Sequence, residues 1–209
     1  MRRRLLLTGV ASLAGCSVLP SQPYLQKRDW PLTLRRPETL PPRRGGRTLL
    51  VRTTLAAPGL EARGLQWLVK DGSVHVDFYD QWSVPPAQAV EDSLRQWLAD
   101  AGVFGAVLGP GSRMNADLAL ETELTTLVAD PATSTARAGL ALVLLDQRPS
   151  PMKVLLQKTE VAEAPLSKED PPAMVQALLA ALADMLRQTE HDVAEAAREA
   201  ACDTCRPLR

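Results

Sequence analysis

From residue 47 onward the apolar positions repeat with two periods, and the change between them marks the elements. The stretch RTLLVRTT (47–54) is β-branched and leucine-rich with no breaker, and reads as a first strand. In LQWLVKDGSVHVDFYDQW (65–82), Leu65, Trp67 and Val69 alternate with Gln66, Leu68 and Lys70. Asp71-Gly72 then supplies a turn, and Val74, Val76 and Phe78 alternate with His75, Asp77 and Tyr79. Two alternating runs about Asp-Gly predict a β-hairpin with one buried face, with His75 pointing away from Val74, Val76 and Phe78. Period 3.6 follows. Ala87, Val90, Leu94, Trp97, Leu98 and Ala101 form one helical stripe, closed by Gly102 as a C′ glycine. VFGAVL (103–108) reads as a short strand and GPGSR as a loop. ADLALETELTTLVAD (116–130) then alternates, with Leu118, Leu120, Thr122, Leu124, Thr126 and Val128 on one face. ARAGLALVLLDQ (136–147) and MKVLLQKTEVAEA (152–164) follow as strands, so the three predict an antiparallel meander covered on one side. After Pro171-Pro172, a second stripe runs through Val175, Leu178, Leu179, Leu182, Met185, Leu186 and Val193. The predicted class is α+β: an antiparallel sheet with two amphipathic helices packed on one face, over residues 47–200.

The first 46 residues have another character. MRRRLLLTGVASLAGC begins with three arginines, continues through a short apolar run and ends Leu13-Ala14-Gly15-Cys16. The apolar run is too short for a stable bilayer-spanning helix, so residues 1–15 read as a signal peptide. Its end resembles the bacterial lipobox, in which the cysteine becomes the acylated first mature residue. That resemblance makes Cys16 the lipid anchor. Ser17, where an aspartate would favour retention at the inner membrane, points to the periplasmic face of the outer membrane. Between Lys27 and Arg52 there are eight bases and two acids, and prolines stand at 20, 23, 31, 37, 41 and 42. Residues 16–46 are therefore expected to be an extended basic tether close to anionic headgroups.

Composition sets limits on function. The 209-residue chain is 45% hydrophobic, enough for a core, and its formal charge is zero, which argues against a nucleic-acid partner. There is no phosphate loop and no G-x-S-x-G. The two histidines, His75 and His191, read as exposed residues, and Glu91 with Arg95 as an ordinary i, i+4 surface pair. Cys202-Asp203-Thr204-Cys205 has redox or half-zinc spacing but no second ligand pair, so on the tail 201–209 it reads as a local disulfide or as unpaired thiols. No catalytic group, cofactor site or metal set emerges. The stretch YDQWSVPP (79–86) uses two of the eight aromatic residues within four positions. It reads as the joint between hairpin and helix, with the prolines at the first helical turn and Trp82 as a packing anchor or, alternatively, an exposed docking residue.

The lipobox, the PYL that follows it and DGSVHVDFYDQWSVPPAQAVEDSLRQWLADAGVF together resemble the auxiliary lipoproteins of bacterial ABC-type lipid transporters, among them the lipoprotein of the paraquat-inducible system. The matching features are Tyr79, Trp82, Pro85, Pro86, the leucines of the following helix, Gly102 and Phe104. The resemblance implies a non-enzymatic outer-membrane lipoprotein that partners an MCE-domain protein and, through it, an ABC permease and ATPase. Phospholipid or another hydrophobic substrate would move between membranes, and Tyr79 and Trp82 become partner-interface candidates. Docking as a cap and assembly as a homo-oligomeric ring both remain open. The alternative class is another envelope-assembly lipoprotein, of a lipopolysaccharide-transport or secretion system.

Overall fold

A computed structural model describes residues 26–204, with side chains described as far as residue 201. The signal peptide, the anchor Cys16 and Cys205 lie outside the described residues. In chain order the elements are β1 (Arg28–Trp30), β2 (Thr48–Val51), β3 (Leu55–Ala56), β4 (Gly64–Leu68), β5 (Val74–Trp82), α1 (Pro86–Asp100), β6 (Ala106–Leu108), β7 (Leu118–Asp130), β8 (Thr135–Asp146), β9 (Lys153–Pro165) and α2 (Pro171–Thr204). All nine strands belong to one sheet. The α+β class predicted from the periodicities holds.

The three long strands form the expected meander, β7–β8–β9, antiparallel throughout. Because β8 pairs with β7 along its whole length, β2, β3 and β4 must share the other edge. They meet it in succession, parallel to it: β2 at residues 118–120, β3 at 123–124 and β4 at 129. The segment 48–68 thus behaves as one interrupted strand, and the sheet is mixed rather than purely antiparallel. Beyond β4 the sheet continues through β5 to β1, while β6 pairs parallel with β2.

The phase of β7 departs from the sequence reading. Leu118, Leu120, Thr122 and Leu124 are buried as predicted, but Leu127 and Ala129 are buried in place of Thr126 and Val128. A register shift between Leu124 and Thr126 inserts Thr125 as an extra residue. One extra residue exchanges the two faces of everything that follows. Opposite the bulge stands Gly139, where an added Cβ would lie 2.7 Å from Thr125 Oγ1 and 3.2 Å from Thr126 Cβ. A side chain there would crowd the bulge.

Both helices lie over the inner face of this sheet. Pro85 precedes α1 and Pro86 occupies its first turn, where a missing N–H removes no helical bond. The stripe Ala87, Val90, Leu94, Trp97, Leu98 and Ala101 is buried throughout. Gly102 ends the helix at φ +65°, as predicted. The helix α2 begins at Asp170, whose carboxylate accepts the Ala173 N–H at 2.9 Å. Its Leu178, Leu182, Met185 and Leu186 meet Leu140, Leu142 and Leu144 of β8 in one core. The helix runs on through Cys202 to Thr204, so the first cysteine of the pair stands in a helical turn rather than a frayed tail. The expected Glu91–Arg95 pair does not form. Glu91 accepts the Thr54 N–H at 2.8 Å, and Arg95 pairs with Asp92 at 2.8 Å.

Much of the segment expected to be a tether is packed against the domain. Residues 28–30 form β1, Leu32 and Leu34 enter the core, Leu40 N–H donates to Asp100 O, and Arg43 N–H donates to Phe104 O. The proline-rich composition was misleading because proline favours extended backbone, and extended backbone can also lie along a sheet edge or a helix. Arg36 binds Glu190 of α2 at 3.1 Å, and that carboxylate also accepts Trp97 Nε1 at 2.7 Å. One acid therefore joins the N-terminal segment, α1 and α2.

Candidate functional site

At the end of β5, the Tyr-Asp-Gln-Trp corner is a structural clamp. Asp80 is buried and accepts hydrogen bonds from Arg28 Nη2 and Trp30 Nε1, each at 2.7 Å. Both donors come from β1, which runs parallel to β5 with Arg28 opposite Asp80 and Trp30 opposite Trp82. Trp82 is 2% exposed, and its N–H donates to Arg63 O at 2.7 Å. Its ring fills the core and leaves no surface for a partner, so it is the anchor and not a docking residue. Of the two interface candidates, Tyr79 alone reaches solvent.

The hairpin β4–β5 forms as expected, with His75 on the face opposite Val74 and Val76. Its register pairs Trp67 with His75, Gln66 with Val76 and Leu68 with Val74. Cross-strand partners share a face. Trp67 packs against the core and His75 stacks on it, with ring centroids 4.1 Å apart. Val74 and Val76 are therefore on the other face, 51% and 46% exposed, while Phe78, past the register shift that follows Val76, is 64% exposed. Alternation in the sequence identified the two faces, but both carried apolar residues, and periodicity alone could not say which one the core would take. Tyr79 meets Phe78 edge-on at 5.2 Å, and Lys27 Nζ stands 3.7 Å over the Phe78 ring.

A second uncovered region lies on the outer face of the meander, opposite the helices. Leu55, Glu121, Glu123, Ala141, Val143 and Gln157 line a shallow trough of about 560 Å³. Leu55 and Val161 are more than half exposed. Arg52 crosses to Glu121 at 2.6 Å, so the rim is charged while the floor is apolar.

Ionisable groups gather on the helix side of β9. Lys158 contacts Glu160 at 3.0 Å and also pairs with Asp192 of α2. These carboxylates, Asp192 first, raise the lysine to about 12. Burial pushes Glu160 up, and its hydrogen bond to Asp192 adds to that. Burial would also push Asp192 up, but hydrogen bonds from Glu160 and Lys158 outweigh it and hold this acid low. His191, Asp192 and Glu195 could each offer a metal-ligand atom within 4.8 Å of the others. Asp192 is already committed to Lys158, and His191 and Glu195 are exposed on the helix surface. Among the described residues neither histidine is hydrogen-bonded to a hydroxyl. What the molecule presents is surface.

The sequence did not single out Asp80 or Glu190. Their only signal was position: Asp80 sits where a strand enters the core, and Glu190 one residue after a fully buried Thr189.

Comparison with known proteins bears on what that surface serves. The sequence matches the model of the ABC-type transport auxiliary lipoprotein component family over residues 32–189. Among solved structures, a Xanthomonas campestris protein of the DUF330 family superposes with TM-score 0.72 at 20% identity, covering 83% of this chain and 98% of that one. A second, described only as an uncharacterized protein, gives TM-score 0.61 at 14% identity and covers 79% of this chain and 99% of its own. At these identities the likeness establishes the fold alone. No curated protein matches the sequence. The family match spans β2–β9, α1 and α2 as far as residue 189, and on that ground the chain belongs to the family of ABC-type transport auxiliary lipoprotein components.

Proposed function

We propose that the chain is a non-enzymatic auxiliary subunit of an MCE-type ABC transporter that moves phospholipid between membranes. In this reading the subunit is held at the periplasmic face of the outer membrane by acyl chains on Cys16. The observation that carries it is the family match over residues 32–189. ATP hydrolysis then falls to the ATPase, reached through the MCE protein and the permease, and the chain needs no cofactor beyond its covalent lipid. Tyr79 stays at the surface and is the contact residue to vary first.

The test is affinity purification of the full, membrane-anchored protein from envelope fractions, with co-purifying proteins identified by mass spectrometry. An MCE protein recovered with its permease and ATPase, and lost or reduced with Tyr79→Ala, is the expected result. Recovery of lipopolysaccharide-transport or secretion components instead would overturn the reading. Cys16→Ala should abolish lipid labelling. Unchanged labelling of that variant would refute the anchor.

A further inference from the structure

We propose that the exposed apolar face of the β4–β5 hairpin, formed by Val74, Val76 and Phe78, rests in the interfacial layer of the bilayer to which the chain is anchored. The inference builds on the lipid-anchor reading and adds a second membrane contact, made by the folded domain.

The first ground is the surface itself. Three large apolar side chains at alternate positions of one strand are 46–64% exposed, and Val69 at the hairpin turn is 40% exposed. No element of the described chain covers them. Alternation would normally place such a set against a core, and here it is Trp67, on the opposite face, that packs against the core, with the exposed His75 stacked on it.

Chain direction is the second ground. β1 runs parallel to β5 with Arg28 opposite Asp80. The two described residues before Arg28, Gln26 and Lys27, therefore lead toward the beginning of β5, which is the hairpin end. Lys27, placed over the Phe78 ring, already marks that course. Lys27 is eleven chain steps from Cys16, and fully extended these span at most about 36–40 Å. An anchor at Cys16 thus holds the bilayer within that distance of Lys27, whose ammonium lies over Phe78.

The third ground is residue type. Aromatic rings settle at headgroup depth, with apolar body inward and edge or polar tip outward, and lysines reach from there to anionic phosphates. Phe78, Lys27 and Lys70 supply that combination around the valines, and all three are exposed. A hairpin of this kind needs no spanning segment, and no described helix is long and apolar enough to cross a membrane.

The test uses the full, acylated protein reconstituted into vesicles of phosphatidylethanolamine and phosphatidylglycerol. A photoreactive aliphatic residue replaces Val76 or Phe78. As the control it replaces Val161, which is equally exposed but lies on β9 at the far side of the sheet. Vesicles are floated, irradiated, and the protein examined for phospholipid adducts by mass spectrometry. Floated protein with adducts at 76 and 78 several-fold above those at 161 is the expected outcome. Floated protein without that excess, or joined at these positions to a second polypeptide, overturns the proposal and leaves the anchor intact. Protein that fails to float removes the anchor, and with it the geometry on which the proposal stands.

Discussion

Removing the Asp80 carboxylate should detach β1 from the sheet while leaving the rest of the fold in place. Asp80→Ala deletes the acceptor for Trp30 Nε1 and the partner of Arg28, both at 2.7 Å. A hydrogen bond to a buried charged acceptor contributes about 1.5–3 kcal/mol. The Arg28 pair adds little to this, because that guanidinium is half in solvent. Together the loss is about 2–3 kcal/mol, or roughly 4–12 °C in Tm for a domain of this size. Asp80→Asn keeps an acceptor for Trp30 and should lose about 1 kcal/mol, the charge-assisted part. Arg28→Ala should cost least. Thermal unfolding by circular dichroism gives the order, and amide hydrogen exchange locates the effect, with protection at residues 28–30 lost before that of β7–β9. The reasoning fails if Arg28→Ala destabilises as much as Asp80→Ala, or if Asp80→Ala unfolds within a degree or so of the parent.

Three further outcomes follow from the packing and the charges. Gly102→Ala places a Cβ 2.8 Å from both Leu40 Cβ and Pro41 O at a φ of +65°, so it should cost about 1–3 kcal/mol, read from the urea midpoint. Glu190→Ala leaves Trp97 Nε1 and Arg36 without their shared acceptor and should cost about 1–3 kcal/mol by the same measurement. Asp146 is held below the usual carboxylate range chiefly by the hydrogen bond from Arg148. A depressed acid adds stability above its unfolded pKa of about 4 and loses it as pH falls through the lower folded value. Asp146→Asn should therefore be less stable than the parent at neutral pH, with the gap closing below about pH 4, measured as Tm against pH.

Where one side of an element was apolar and the other polar, the sequence was enough. The helix α1 has a single stripe, a proline start and a glycine stop, and the structure reproduces each. The α+β class followed for the same reason. Alternation lost its power where both faces of a strand were acceptable to a core, as in Val74–Phe78 against Trp67–His75. It failed at Thr125 because a bulge is set by the partner strand, and only Gly139, fourteen residues on, hinted at one. Tyr79 and Trp82 could be picked out as a pair, but their separation into surface and core depends on how β1 lies beside β5. That contact spans about 50 residues of chain, so no local pattern encodes it. Arg28 and Trp30 looked like parts of a tether because their acceptor was so distant in sequence.

The pairing of β1 with β5 also has a mechanical consequence. With the proposed anchor at Cys16, a pull between membrane and domain would enter the fold at β1 and run along it, toward the hairpin end of β5. Force along a strand loads its ladder in shear, so the bonds to β5 and the two donors to Asp80 must yield together rather than open one after another. Had β1 joined antiparallel, the same pull would have peeled it from one end. As built, the short strand resists tension from the lipid side collectively, while thermal fluctuation can still open it. A subunit moored to one membrane and gripped by a partner reaching from the other would keep its register under strain.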